Sequence, residues 1–171
     1  ILITMSNKII IYQSGSNNFS SNKSDAMALA SKSSIGEIKN GKVIYSIYEV
    51  LYLLDKKQAE LLKANKKQSF ESLLKKANSN LYLVFKDLKE KGHILKEGLK
   101  FGANFRVYEK GDKPGKNHAK YLLFVIGEKN INTLNFAAKA RIAHSTNKIL
   151  LLAIVDNEED VSYYETKWKA K

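Results

Sequence analysis

The run Leu150-Leu151-Leu152-Ala153-Ile154-Val155 holds no polar side chain, and this one segment narrows the folds open to a chain of 171 residues. A strand with one wet face alternates apolar and polar residues, whereas an unbroken aliphatic run needs cover on both faces. The run is too short for an ordinary helix and far below the roughly 18–20 residues of a membrane span. A strand over 149–155 inside a sheet with helices on its faces is therefore expected, with no membrane partner.

Other elements group around it. Short β-branched runs at 7–13 and 43–46 predict strands, and the Ser/Asn-rich stretch from Ser14 to Ser24 between them reads as loop. Ser46 followed by Glu49 three residues on is a capping box, opening a helix with Val50, Leu51, Leu53 and Leu54 on its apolar face. Ser69 caps a second short helix. Leu81, Val84, Phe85 and Leu88 recur at helical spacing up to Gly92, and strands are predicted at 93–96, 99–101, 105–108, 118–126 and 161–168. A helix from Thr133 to Ser145 is predicted to bury Leu134, Phe136, Ala137, Ala140 and Ile142. The small polar segment Ala77-Asn78-Ser79-Asn80 marks a boundary. The fold class is α+β, or mixed α/β, in two small domains: residues 1–78, with helices and a small antiparallel sheet, and residues 79–171, with a mixed sheet flanked by helices.

Composition limits the chemistry. With no cysteine, a disulfide scaffold, a thiolate zinc site and a cysteine nucleophile are all excluded. The start, Ile1-Leu2-Ile3-Thr4-Met5, is too short and uncharged to read as a signal peptide, so a soluble, cytoplasmic protein is expected. Twenty-nine basic residues against 17 acidic ones give a net charge of +12, shared between both halves. Such a chain attracts polyanions, and nucleic acid is the commonest one in a cell; a lysine-rich solubility surface is the plainer alternative. Only Arg106 and Arg141 are arginine among those 29, which points to positions where a planar fork serves better than a point charge.

HExxH, paired-carboxylate and phosphate-loop motifs are absent. The second half does offer Tyr108 at a strand end, His118 at the start of the next strand and Lys148 before the apolar run. If strands 105–108 and 118–126 form a hairpin, Tyr108 and His118 flank the loop from Glu109 to Asn117 at one end of the sheet, where Lys148 also lies. Strand-end tyrosines usually pack and loop-edge histidines usually face solvent, so the trio is weak as a bare pattern. Its chemistry fits metal-free RNA cleavage, with neither metal nor cofactor expected: a base takes the ribose 2′-proton, an acid protonates the departing 5′ oxygen and a cation steadies the intermediate. Imidazole, with an ordinary pKa near 6.5, suits the acid; a phenol, ordinarily near 10, serves as base beside a cation such as Lys148.

Gly98-Leu99-Lys100-Phe101-Gly102-Ala103-Asn104-Phe105-Arg106-Val107-Tyr108-Glu109, then His118 with Tyr121-Leu122, then Arg141-Ile142-Ala143-His144-Ser145 through Lys148 to Ala153-Ile154-Val155-Asp156, resembles the archaeal tRNA-splicing endonuclease family over residues 81–168. Over the first 78 residues the similarity is only general. The resemblance implies a restriction-endonuclease-like catalytic domain, with Tyr108 as general base, His118 as general acid and Lys148 as transition-state cation. It also implies intron excision from precursor tRNA at a bulge–helix–bulge, leaving a 2′,3′-cyclic phosphate and a 5′-hydroxyl. Arg141 matches the family's base-pinching arginine. Trp168 stands as the second arm where relatives have arginine, with a packing or interface tryptophan as the alternative. Asp156, Glu158, Glu159 and Asp160 form either a solvated turn or the acidic loop that inserts into a neighbouring subunit. Assembly is implied as a homotetramer or as a heterotetramer with a paralogous non-catalytic subunit, and dimerisation through the C-terminal strands.

Two rivals stand beside this reading. Asp156 with Glu165-Thr166-Lys167 spells the carboxylate and E-x-K of a magnesium-dependent restriction-type nuclease. A non-catalytic RNA-binding subunit would keep the fold and lose the chemistry. His144 is assigned a structural hydrogen bond, and His93 an edge-strand position.

Overall fold

The structure is a computed structural model, and it describes residues 8–127 and 132–169. The chain divides into two compact units, Ile1–Ser79 and Asn80–Lys171.

The first unit is built on a sheet of six strands in the order β3-β4-β2-β1-β5-β6. These are β1 (Ile9–Ser14), β2 (Asn18–Ser21), β3 (Glu37–Lys39), β4 (Lys42–Tyr45), β5 (Ala59–Lys63) and β6 (Lys66–Gln68). Helices α1 (Ser24–Ser33), α2 (Ile47–Asp55) and α3 (Phe70–Leu74) complete it. The sheet is larger than the small antiparallel one expected, and its β1–β5 pair is parallel. Strand β2 lies inside the Ser/Asn stretch read as loop. Its Phe19 is buried and its backbone pairs with both β1 and β4, so partners on either side make a strand of a segment with weak strand propensity. The strand predicted from residue 7 begins at Ile9; Asn7 lies outside the described residues. The capping box forms: Ser46 Oγ accepts from Glu49 N, and Ser46 N donates to Glu49 Oε2 at 2.9 Å. Oε1 of the same buried carboxylate accepts from Gly36 N at 2.9 Å, tying the helix start to the bend just before β3.

The second unit is a mixed sheet in the order β11-β10-β9-β8-β7. Its strands are β7 (Ile94–Glu97), β8 (Phe105–Tyr108), β9 (Tyr121–Ile126), β10 (Ile149–Val155) and β11 (Val161–Thr166). Strand β10 runs parallel to β9 and antiparallel to β11, buried through its middle as the apolar run requires. Helix α4 (Ser79–Glu90) brings Phe85 against Phe105 at 5.7 Å between ring centres. Tyr163 of β11 donates to Asp87 of α4 at 2.6 Å.

Helix α5 (Thr133–Ser145) covers the opposite face, started by Asn132, whose side chain accepts from Leu134 N and Asn135 N. Its buried residues are Ala140 and Ala143, packed on Leu122, Phe124, Leu150 and Leu152, with Phe136 partly buried beside them. Leu134 and Ile142, expected inside, are exposed. Two alanines let the helix backbone come close to the sheet, and the contact they make is too narrow to cover the larger side chains.

Residues 99–101 were predicted as strand and form a 3-10 turn instead (Leu99–Phe101). Glycines bracket it. Gly102 takes φ +61 and donates to Leu99 O, while a Cβ at Gly98 would lie 2.7 Å from the carbonyl oxygen of Ala103. The turn sets Phe101 beside the α5 core.

Tyr163→Phe removes the donor to Asp87 and is expected to cost about 1 kcal/mol in urea unfolding near neutral pH. Burial first, and then the Asp87 carboxylate, hold the Tyr163 phenol above its ordinary value. A folded-state pKa raised above the unfolded one contributes stability that is complete below about pH 10 and is lost as pH rises further. The native chain should therefore lose more stability than the Phe variant on going to pH 11; equal losses would contradict the assignment.

Candidate active site

Backbone pairing at one end of the second sheet sets the site. The last rungs join Val107 to Tyr121 and Tyr121 to Ile149. Just beyond them, Lys120 N donates to Val107 O at 3.0 Å and Lys120 O accepts from Ile149 N at 2.9 Å. Lys120 thus holds the end of β8 and the start of β10 at one level. Tyr108 and Lys148, the neighbours of Val107 and Ile149, flank it on either side. Side chains alternate along a strand, so both residues belong to the face that carries Arg106, Leu122 and Leu150, the face covered by α5. Two strand spacings separate their backbones, about 10 Å.

Tyr108 is buried, and it is held at its backbone and at its hydroxyl. The imidazole Nδ1 of His93 lies 3.0 Å from its carbonyl oxygen, and Arg106 Nη1 donates to its hydroxyl at 3.4 Å. His93 comes just before edge strand β7, and its ring closes the β7–β8 pair next to the Ile94–Tyr108 rung. Lys148 Nζ donates to Thr146 O at 2.9 Å and sits 5.2 Å above the Phe101 ring. The 3-10 turn that replaced the predicted strand therefore supplies the surface on which this ammonium rests.

His118 is exposed and lies on the β8–β9 loop, not on a strand as expected. Turn hydrogen bonds from Asn117 N and Lys116 N to Lys113 O occupy the segment just before it, so the ladder starts only at Tyr121. The loop is clasped at its base by an ion pair between Lys120 and Glu109, with Lys120 Nζ also 5.2 Å over the Tyr121 ring. Hydrogen bonding to Glu109, and then to Tyr121, keeps the Lys120 ammonium well above the ordinary lysine value. The structure brings Tyr108 and Lys148 to one end of one face and puts His118 on the loop leaving that end. The Glu109–Lys120 clasp escaped the sequence reading, and the opposite charges at the two loop ends were the signal for it.

Beside Lys148 opens a cleft of about 230 Å3 lined by Ala140, Ala143, His144, Thr166 and Trp168. The His144 ring meets the Trp168 indole edge-on, 4.8 Å between centres and 66° between planes. His144 is thus placed by an aromatic contact where a hydrogen bond was expected. Trp168 lies beyond the end of β11 with 42% of its surface exposed. Arg141 is exposed one helical turn before His144 on α5.

Asp156, Glu158, Glu159 and Asp160 form an exposed turn between β10 and β11. The Asp156 carboxylate accepts from Glu158 N and Asp160 N, both at 2.9 Å, which folds the turn on itself. Glu165 pairs with Leu151 at the other end of the hairpin, about 16 Å from Asp156 at strand rise, and it accepts from Tyr121 Oη at 2.7 Å. The carboxylate and E-x-K grouping therefore does not converge on one ion.

A family model described as the tRNA intron endonuclease, catalytic C-terminal domain, matches residues 79–163. The tRNA-splicing endonuclease of Methanothermobacter thermautotrophicus is 40% identical over 148 residues, covering 84% of this chain and 87% of that protein. Those of Thermococcus kodakarensis and Pyrococcus furiosus are each 35% identical, covering 94% and 96% of this chain and 98% of each relative. The chain belongs to the tRNA-splicing endonuclease family, as the resemblance implied.

Trp168 is the one tryptophan in the chain, so its emission reports the His144 contact without interference. His144→Ala is expected to increase acrylamide quenching of that emission, and His144→Phe to restore it. Unchanged quenching in the Ala variant would show that the contact does not shield the indole in solution.

Proposed function

We propose that this chain is the catalytic subunit of an endoribonuclease that excises introns from precursor tRNA at bulge–helix–bulge sites without a metal. The carrying observation is the shared level of Tyr108 and Lys148 around Lys120, on a sheet within a domain matched to the tRNA intron endonuclease. Residues 79–171 are read as the catalytic domain and 1–78 as the N-terminal domain, in keeping with the division of the chain after Ser79.

Tyr108, as phenolate, takes the proton of the 2′-hydroxyl. The 2′-oxygen attacks the adjacent 3′-phosphorus, and the Lys148 ammonium balances the charge that builds on the phosphoryl oxygens. His118 gives its proton to the departing 5′ oxygen. A P–O bond to the 2′ oxygen forms while the bond to the 5′ oxygen breaks, leaving a 2′,3′-cyclic phosphate and a 5′-hydroxyl. The exposed position of His118 suits an acid that must reach a bound strand and recover its proton from water afterwards. Arg141 and Trp168 are read as a base-holding pair, since stacking on such planes is worth about 1–3 kcal/mol. The acidic turn from Asp156 to Asp160 is read as a contact with a neighbouring subunit in a homotetramer or a heterotetramer with a paralogous partner. The turn is closed by the Asp156 carboxylate on the N–H groups of Glu158 and Asp160, and Glu158, Glu159 and Asp160 are exposed on it.

His118→Ala is expected to lower single-turnover cleavage of a bulge–helix–bulge RNA by about 100-fold or more while RNA binding is kept. A single 2′-deoxy substitution at the cut site should block cleavage in the native protein. Cutting of the deoxy substrate at the native rate would rule out attack by the 2′ oxygen.

A further inference from the structure

One arginine is left without a task by the reaction as described. Lysine fills 27 of the 29 basic positions, counting all but Arg106 and Arg141, so an arginine at 106 stands out against the habit of the chain. Arg106 lies two residues before Tyr108 on β8, and the strand period sends both side chains to one face. Its guanidinium is held at two corners. Nε donates to Glu97 O at 2.9 Å, across the rung that joins β7 to β8, and Nη1 donates to the hydroxyl oxygen of Tyr108 at 3.4 Å.

The direction of that second bond matters. A guanidinium has only donors, so the Tyr108 oxygen accepts and its own proton points elsewhere. The same contact survives when the phenol loses that proton, and it then becomes a charge-assisted bond to an anion. The first bond, to a fixed backbone carbonyl, keeps the plane of the fork from following the phenol if it swings. A lysine ammonium on its flexible stem would carry the charge without that fixed plane.

We propose that Arg106 is a positioning residue for the cleavage reaction, holding the Tyr108 oxygen in place and balancing its negative charge in the state that accepts the 2′-proton. This rests on the reading of Tyr108 as the base. It assigns the two arginines to different work, Arg106 beneath the base and Arg141 out on the exposed side of α5.

A double-mutant cycle on the full chain tests it, with single-turnover cleavage and RNA affinity measured separately. Arg106→Gln is expected to slow cleavage by about 10- to 100-fold, the loss of one charge-assisted bond, with RNA affinity unchanged. Arg106→Lys should recover part of the rate. In a Tyr108→Phe background the Arg106→Gln change should cost less than about twofold, because the oxygen it serves is already gone. If Arg106→Gln does not fold, as judged by circular dichroism, the cycle is run with Arg106→Lys, whose rate loss should likewise vanish in the Phe background. Equal losses in both backgrounds, or a loss confined to RNA affinity, would overturn the inference and leave Arg106 as a strand tie or a phosphate contact. A Tyr108→Phe protein that cleaves at the native rate would instead overturn the base assignment itself.

Discussion

Two backbone hydrogen bonds at Lys120 govern the rest of the site. Its N–H reaches Val107 and its carbonyl receives Ile149, so one residue locks the finish of β8 to the beginning of β10. A one-residue slip in either pairing would turn Tyr108 or Lys148 to the opposite face, since side chains alternate along a strand. The register is protected by what lies behind it. Leu122, Leu150 and Leu152 sit on the α5 face, and slipping them outward would expose the core that Ala140 and Ala143 close. The packing that stabilises the domain and the alignment that would make it a catalyst thus depend on the same rungs.

The loop joining β8 to β9 follows a different logic. It is anchored by Glu109 and Lys120 and shaped by local turn bonds around Lys113. An exposed ion pair of this kind is a weak source of stability. Its effect is geometric: it brings the loop ends together while His118 stays exposed at the surface. Across the hairpin turn from Val155 to Val161, the acidic residues make a similarly self-contained structure, with Asp156 satisfying the backbone of its own turn.

Much of this was legible in the residues. The aliphatic run at 150–155, the Ser46–Glu49 box and the bounds of α5 are strong local signals, because each is decided within one or two turns of chain. What was missed depended on partners. Asn18–Ser21 becomes a strand only because β1 and β4 flank it. Leu99–Phe101 looks like a strand by side chain and is bent into a 3-10 turn by the glycines around it. The inward side of α5 was misjudged because alanine spacing, and not leucine spacing, set the approach to the sheet. At the site, strand-end positions and their chemistry, and then the family motifs, pointed to Tyr108, His118 and Lys148, but the cross-strand hold of Arg106, the His93 contact and the His144–Trp168 pair join residues that spacing along one strand or helix does not relate.

The central claim is that a phenol, an imidazole and an ammonium cut RNA through its own 2′-hydroxyl. Mass analysis of the fragments from a bulge–helix–bulge RNA, cut in the presence of EDTA, reads this directly. The account requires cleavage to persist, with a 2′,3′-cyclic phosphate on one fragment and a 5′-hydroxyl on the next. Fragments ending in a 5′-phosphate and a 3′-hydroxyl, or cleavage abolished by the chelator and restored by magnesium, would contradict it.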